Sequence, residues 1–121
     1  MAITNAIITS TTSTIYTSLV PTSAIGNAIT TMIFCNTAPF NAADPTANQA
    51  LLTVYAVPAI AGNPPTTGTA ADGNMIINKL PIPAGETVSL DQEKMVLSDG
   101  DTIQAKAESA DLTATISTLV A

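Results

Sequence analysis

Apolar and polar residues alternate with a period of two along much of the chain, which is the pattern of half-buried β-strands. In residues 101–108, Ile103, Ala105 and Ala107 fall on one face and polar side chains fall on the other. Residues 111–117 repeat this alternation after a short polar connection. Together the two runs predict an antiparallel hairpin with one buried face.

Further strands are predicted by short runs of β-branched and apolar residues between Gly, Pro, Asn and Asp. These runs span residues 29–36, 51–57, 75–80, 86–90 and 95–97. The second of them is apolar on both faces, which indicates a strand inside a sheet. Helix signals are nearly absent, so we predict an all-β fold: an antiparallel β-sandwich of about seven strands, immunoglobulin-like or jelly-roll-like.

Residues 1–19 form a Thr/Ser-rich segment with isolated hydrophobic residues and no clean buried face. We predict that this segment is either an edge strand or an arm laid on an adjacent subunit, and that residues 20–121 form a single β-sandwich domain. A loop at 59–74 is long enough to suggest a functional role or ordering by a partner. The predicted subunit contacts in these two segments are Ile7, Ile8, Ile15, Tyr16, Pro64 and Pro65.

The composition indicates a surface with few charges. Of the 121 residues, 10% are charged, 46% are hydrophobic and 3% are aromatic, whereas about a quarter of an average domain is charged. Such a surface is typical of proteins covered by neighbouring subunits, because charged residues are depleted at interface cores. The net charge of −6 with three Lys and no Arg argues against nucleic acid or an anionic membrane as a partner.

Targeting signals are not apparent in the sequence. No apolar run approaches the roughly 20 residues of a membrane-spanning helix. The first five residues, Met-Ala-Ile-Thr-Asn, lack the basic start of a signal peptide. We therefore expect a protein that is made in the cytoplasm and left unprocessed.

Residues suited to catalysis are scarce. The chain has no His, which excludes Ser-His and Cys-His nucleophiles. Cys35 is the only cysteine and lies in an apolar run, so we predict a buried small side chain. Asp91 and Glu93 could act as paired carboxylates on one strand face, but the aromatic residues that sugar sites add are few. Because no nucleophile, base and orienting group can be named together, we predict no enzymatic activity and no cofactor.

Asp-Gly sequences supply the candidate metal ligands. Asp99, Asp101 and Asp72 carry oxygen atoms of the type that Ca²⁺ prefers. The same sequences build tight turns, because Gly adopts positive φ and Asp hydrogen-bonds its own backbone. We favour the turn and predict no bound metal.

Three segments resemble small structural proteins from the virions of tailed bacteriophages, including phages of cyanobacteria and marine bacteria. They are LTVYAVP at 52–58, LPIPAGET at 80–87 and EKMVLSDGDTIQA at 93–105, followed by small residues alternating with aliphatic ones at 107–120. The resemblance implies a β-sandwich in the virion with a non-catalytic role. That role would be a capsid decoration (cement) protein, or alternatively a neck or tail component such as a head–tail adaptor or a ring-forming tail protein. The implied partners are the major capsid protein or other virion proteins, with further copies of the chain as a homo-oligomer.

Two other classes of protein fit the sequence less well. A secreted adhesin or pilus-like subunit would bring a signal peptide or disulfides. A carbohydrate-binding module would bring more aromatic residues than the chain has. The sequence therefore favours a structural subunit over both.

Overall fold

The structure is a computed structural model that describes residues 2–20, 26–90 and 95–120. Within these ranges the regular elements are nine β-strands and one turn of 3-10 helix at Asp72–Asn74. The strands are β1 (Ala2–Ile8), β2 (Ser13–Thr17), β3 (Asn27–Cys35), β4 (Ala50–Val57), β5 (Met75–Ile82), β6 (Thr87–Leu90), β7 (Met95–Leu97), β8 (Thr102–Glu108) and β9 (Leu112–Val120). In these ranges no helix has the length and apolar character needed to cross a membrane.

The strands form two antiparallel sheets that pack against each other, which confirms the predicted all-β sandwich. Sheet A has the order β1-β9-β3, and β6 and β7 both pair with the far side of β3. Sheet B has the order β2-β8-β4-β5. Because β6 and β7 follow one another along β3, they occupy one strand position, and sheet A also has four positions.

The strand pairing decides between the two predicted kinds of sandwich. The pairs are nested along the chain: β4 with β5, β3 with β6 and β7, β2 with β8, and β1 with β9. This nesting, with two four-position sheets face to face, is the jelly-roll arrangement. In an immunoglobulin fold the first two strands share a sheet, whereas here β1 and β2 lie in opposite sheets. The immunoglobulin-like alternative is therefore wrong.

The predicted hairpin of β8 and β9 is not present, although both strands are. β8 pairs with β2 and β4 in sheet B, and β9 pairs with β1 and β3 in sheet A. The connection at 109–111, in which Ser109 has a φ of 75°, carries the chain from one sheet to the other. An alternating pattern shows that a strand has one buried face, but it does not identify the strand's hydrogen-bonding partner. The inward faces of β8 and β9 are buried between the sheets although the two strands do not pair with each other.

The core lies between the two sheets and is built almost entirely of aliphatic side chains. Its largest fully buried hydrophobic members are Phe34, Ile8, Ile29, Leu52, Ile82, Ile103, Leu112 and Ile116. Fully burying a side chain of this size contributes about 1.5–3 kcal/mol. Ile8 in β1 and Ile15 in β2 both belong to this core, so the described part of the N-terminal segment supplies an edge strand to each sheet and is packed into the sandwich.

Candidate functional site

The outer face of sheet A has no charged side chain at any described position. Its residues are those that alternate with the inward-facing residues of β1, β3, β6, β7 and β9. We call this surface the neutral face. It consists of Ile3, Asn5, Ile7, Ala28, Thr31, Ile33, Cys35, Thr87, Ser89, Val96, Thr113, Thr115, Ser117 and Leu119.

Five large aliphatic side chains of the neutral face are open to solvent. Ile3 and Ile7 are each 67% exposed, Val96 is 59% exposed, Leu119 is 48% exposed and Ile33 is 36% exposed. Single exposed aliphatic residues are normal on protein surfaces, and Leu19, Phe40 and Ile60 are exposed elsewhere in the described chain. What sets the neutral face apart is therefore the absence of charge among its described residues.

Hydrogen bonds hold several hydroxyl groups of the neutral face in place. The Thr115 hydroxyl donates to Asn5 Oδ1 at 2.9 Å, and the Thr113 hydroxyl donates to the Cys35 carbonyl at 3.4 Å. These bonds satisfy polar groups within the sheet itself. Side chains held in this way have less freedom to lose when a surface is covered, which lowers the cost of association.

Charged side chains of the described residues all lie away from the neutral face. They are found in the loops and turns (Asp44, Asp72, Glu86, Asp99, Asp101 and Asp111) and on β5 and β8 of sheet B (Lys79, Lys106 and Glu108). The predicted carboxylate pair Asp91 and Glu93, together with Lys94, lies outside the described residues. Depletion of charge is the usual character of the core of a protein–protein interface.

No protein-family model, curated protein or solved structure matches this chain. The resemblance to virion proteins therefore rests on the three quoted segments.

The predicted contact residues of the N-terminal segment divide between the surface and the core. Ile7 is exposed on the neutral face, whereas Ile8 is 0% exposed and Ile15 is 4% exposed. Tyr16 is half-buried and packs against the core. The prediction of subunit contacts is wrong for Ile8 and Ile15, because side chains buried between the sheets cannot contact another subunit.

The long loop between β4 and β5 lies against its own sheet. The Gln104 amide donates to the Gly68 carbonyl at 3.0 Å, and a Cβ at Gly68 would lie 2.3 Å from the Pro58 carbonyl oxygen. Only glycine allows the loop to approach β4 this closely. Pro64 is exposed and Pro65 is half-buried in this loop, and neither belongs to the neutral face.

Cys35 is half-buried on the neutral face, and the prediction of a buried thiol is wrong. The neighbouring Phe34 occupies the core with 0% exposure. Because successive side chains of a strand point to opposite faces, only one of the two can be buried between the sheets. An apolar run alone does not show which one.

The sequence contains a sign of the neutral face that is separate from the strand pattern, namely two long stretches without a charged residue. No charged side chain precedes Asp44, and none occurs from Leu112 to Val120. These two stretches supply β1, β3 and β9, which are the three adjacent strands of sheet A. Ile33 and Leu119 could not be recognised as one surface until the strand order placed them together.

A shallow cleft of about 420 Å³ with polar groups in its lining lies on the outer face of sheet B. It is lined by Thr53, Tyr55, Asp72, Met75, Asn78, Lys79 and Lys106. Lys106 Nζ lies 3.6 Å from Glu108 Oε1, so one of the two lysines in the lining is paired with a carboxylate.

The Asp99-Gly100-Asp101 sequence forms a turn whose carboxylates accept backbone hydrogen bonds. Asp101 Oδ1 accepts from the Ala59 amide at 2.8 Å and Oδ2 accepts from the Ser98 amide at 2.9 Å. Asp99 Oδ1 accepts from the Val20 amide at 3.0 Å. Gly100 has a φ of 86°, which favours glycine. In the described ranges no group of three or more His, Cys, Asp or Glu side chains is placed to hold a metal ion.

We expect Ca²⁺ to leave the thermal stability of the protein unchanged, because the Asp99 and Asp101 oxygens already accept backbone N–H groups. A ligand that bound the folded chain would raise the Tm with its concentration. The measurement is thermal unfolding of chelator-treated protein over a Ca²⁺ titration, with Mg²⁺ as the control ion. A Tm that rises and saturates with Ca²⁺ alone would contradict the structural role of this turn.

Proposed function

We propose that this chain is a non-enzymatic structural subunit that assembles with other proteins through its neutral face. The observation that carries the proposal is the contrast between that face and the rest of the molecule. A protein with a net charge of −6 repels other acidic surfaces. On the outer face of sheet A, the described residues of four adjacent strand positions carry no charged side chain.

The energetics of covering the neutral face favour assembly. Removing an ion from water costs several kcal/mol, and its interactions in the interface regain this only with good geometry. Covering Ile3, Ile7 and Ile33 requires no such desolvation, and burial of apolar area stabilises by about 25 cal/mol per Å². A partner that presents a similarly uncharged surface is therefore favoured.

Within this class we propose the role that the resemblance implies, a virion decoration protein that packs on the major capsid protein and stabilises the shell. Binding to the assembled shell would stabilise it by mass action. The three quoted segments and the uncharged sheet face support this role. The fold does not choose it, because jelly rolls occur in viral capsid proteins and equally in lectins and cupins.

Substitution of Ile33 by lysine is expected to abolish assembly while the chain stays folded. Ile33 lies on β3 in the interior of sheet A, so a partner would bury the new ammonium group without a counter-charge, at a cost of several kcal/mol. The expected result is binding weakened by about 100-fold or more. The measurement is co-sedimentation of the purified variant with capsids that lack the chain.

Ile76→Lys is the matched control for this experiment. Ile76 is 44% exposed on β5 of sheet B, against 36% for Ile33, so the same substitution adds the same charge at a similar exposure. Thermal unfolding verifies that both variants are folded. Equal binding by the two variants, whether retained or lost, would refute the neutral face as the assembly surface.

Copy number distinguishes the decoration role from the neck or tail alternative. Quantitative mass spectrometry of purified particles should give a copy number on the order of hundreds for a decoration protein. A ring around the tail axis would give about six or twelve copies. Particles that lack the chain would refute a virion role.

A further inference from the structure

The sandwich has four open strand edges in its described part, and three of them are protected against pairing with another chain. An open edge presents unpaired N–H and C=O groups, and natural proteins protect such edges with charges, prolines, bulges or short strands. β5 carries Lys79 and Pro81 and has two register shifts against β4. β2 has five residues and a register shift between Thr14 and Tyr16. β6 and β7 have only four and three residues.

The edge of β1 carries none of these protective features. β1 has seven residues and pairs with β9 in one unbroken register, from Ala2 opposite Thr118 to Ile8 opposite Leu112. It contains no proline and no charged side chain. Of the four edges, β1 alone is regular, long and uncharged, so its backbone is suited to accept a further strand.

We infer that β1 pairs antiparallel with β1 of a second copy of this chain, about a two-fold axis at Asn5. The pairing joins the two copies of sheet A into one sheet of eight strand positions, with the neutral faces on the same side. The inference rests on the proposed function, because it also takes the chain to assemble with other protein chains. It adds the partner, a second copy, and the register of the contact.

The sequence of β1 is self-complementary about Asn5. Residues 3–7 read Ile-Thr-Asn-Ala-Ile, so a two-fold axis at Asn5 places Ile3 opposite Ile7 of the second copy. Both side chains are 67% exposed in the single chain, and apolar residues that face each other across paired strands stabilise the pair. An axis at Thr4 would instead oppose Ile3 to Asn5, and an axis at Ala6 would oppose Ile7 to Asn5.

Asn5 itself suits a position on the axis. Its Oδ1 accepts the Thr115 hydroxyl at 2.9 Å, which orients the carboxamide and leaves the NH₂ group able to donate across the axis. A carboxamide both donates and accepts, so two copies of Asn5 can hydrogen-bond to each other. No charged side chain precedes Asp44, which keeps the acidic residues of both copies out of β1 and β2.

Disulfide cross-linking tests the partner and the register together. In a Cys35→Ser background, Asn5→Cys should give a covalent dimer on mild oxidation, since paired strands hold opposed Cα atoms about 4.5–5.5 Å apart and a disulfide spans about 4.4–6.8 Å. Ile3→Cys alone should not cross-link, whereas a mixture of Ile3→Cys and Ile7→Cys chains should form a heterodimer. Asn78→Cys is the matched control, because Asn78 is also an exposed asparagine on an edge strand.

Lysine variants separate this inference from the proposed function. By sedimentation velocity, Asn5→Lys should weaken the dimer by roughly tenfold or more, because opposed charges on an open edge block pairing, while Asn78→Lys should leave it unchanged. A chain that stays monomeric at all concentrations, or that cross-links equally through Asn5→Cys and Asn78→Cys, would overturn the β1 pairing. If Ile33→Lys still abolished binding to capsids in that case, the proposed function would stand without it.

Discussion

A chain that lacks residues 1–19 is expected not to fold. These residues form β1 and β2, which are an edge of each sheet and pair with β9 and β8. Their removal takes Ile8 and Ile15 out of the core, and truncation of a buried isoleucine to alanine alone costs about 2–5 kcal/mol. Two such losses amount to about 4–10 kcal/mol, which together with the lost strand pairing is comparable to the about 5–15 kcal/mol by which typical domains are stable. Far-ultraviolet circular dichroism and thermal unfolding measure the outcome.

Alanine substitutions of Ile7 and Ile8 test in a second way whether the N-terminal segment is needed for folding. They are neighbouring isoleucines of one strand, but Ile7 is 67% exposed and Ile8 is 0% exposed. Ile8→Ala should lower the free energy of unfolding by about 2–5 kcal/mol, whereas Ile7→Ala should change it by less than about 0.5 kcal/mol. A truncated chain that unfolds cooperatively at the normal Tm would show instead that residues 1–19 are a dispensable arm.

Substitution of Asn36 by alanine is expected to cause the second large loss of stability. Asn36 is 0% exposed, and its side-chain amide donates to the Asn48 carbonyl at 2.8 Å and to the Ile82 carbonyl at 2.9 Å. Its Oδ1 accepts from the Ala38 amide at 3.1 Å. One side chain therefore ties the loop at 36–49 to the end of β5.

The magnitude of this loss follows from the groups left without partners. The bond to the Ile82 carbonyl is buried, whereas the bonds to the Asn48 carbonyl and the Ala38 amide are half-buried and water can partly replace them. A buried group without a partner costs about 1–3 kcal/mol, so Asn36→Ala should cost about 2–4 kcal/mol and lower the Tm by roughly 10 °C. Asn36→Asp should be at least as destabilising, because a carboxylate cannot donate to the two carbonyls. The measurement is denaturant-induced unfolding of each variant.

Asn41→Ala is the control for the Asn36 variants. Asn41 is exposed in the same loop, and its side chain accepts a single hydrogen bond from the Ala43 amide at 3.0 Å. Because water replaces such a bond at the surface, the expected change is within about 0.5 kcal/mol. Similar small losses for Asn41→Ala and Asn36→Ala would contradict the role of Asn36 as the tie between loop and sheet.

Strand positions could be predicted from the sequence because alternation of side chains is a local property. The pattern at 101–108 places Ile103, Ala105 and Ala107 in the core, where the structure also has them. Residues 51–57 were predicted to lie inside a sheet from their two apolar faces, and β4 does lie between β8 and β5. The loop at 59–74 likewise follows from its Pro, Gly, Asn and Asp residues.

The candidate site could be predicted only in its general character. A low content of charged residues indicates a covered surface, but it does not say which surface. Ile7 and Ile8 are chemically identical neighbours, and only their orientation in β1 makes one an exposed residue of the neutral face and the other part of the core. That orientation depends on which residue of β9 each of them faces, and β9 lies at the other end of the chain.

By itself, therefore, the amino-acid sequence determined the strands, the turns and the scarcity of charge, because each depends on residues that are close together in the chain. The tertiary structure decided that β8 and β9 lie in different sheets, that the sandwich is a jelly roll, and that Ile3, Ile33 and Leu119 share one face. Those outcomes depend on pairings between distant strands. Such pairings are selected by the packing of the whole core, to which all the strands contribute at once.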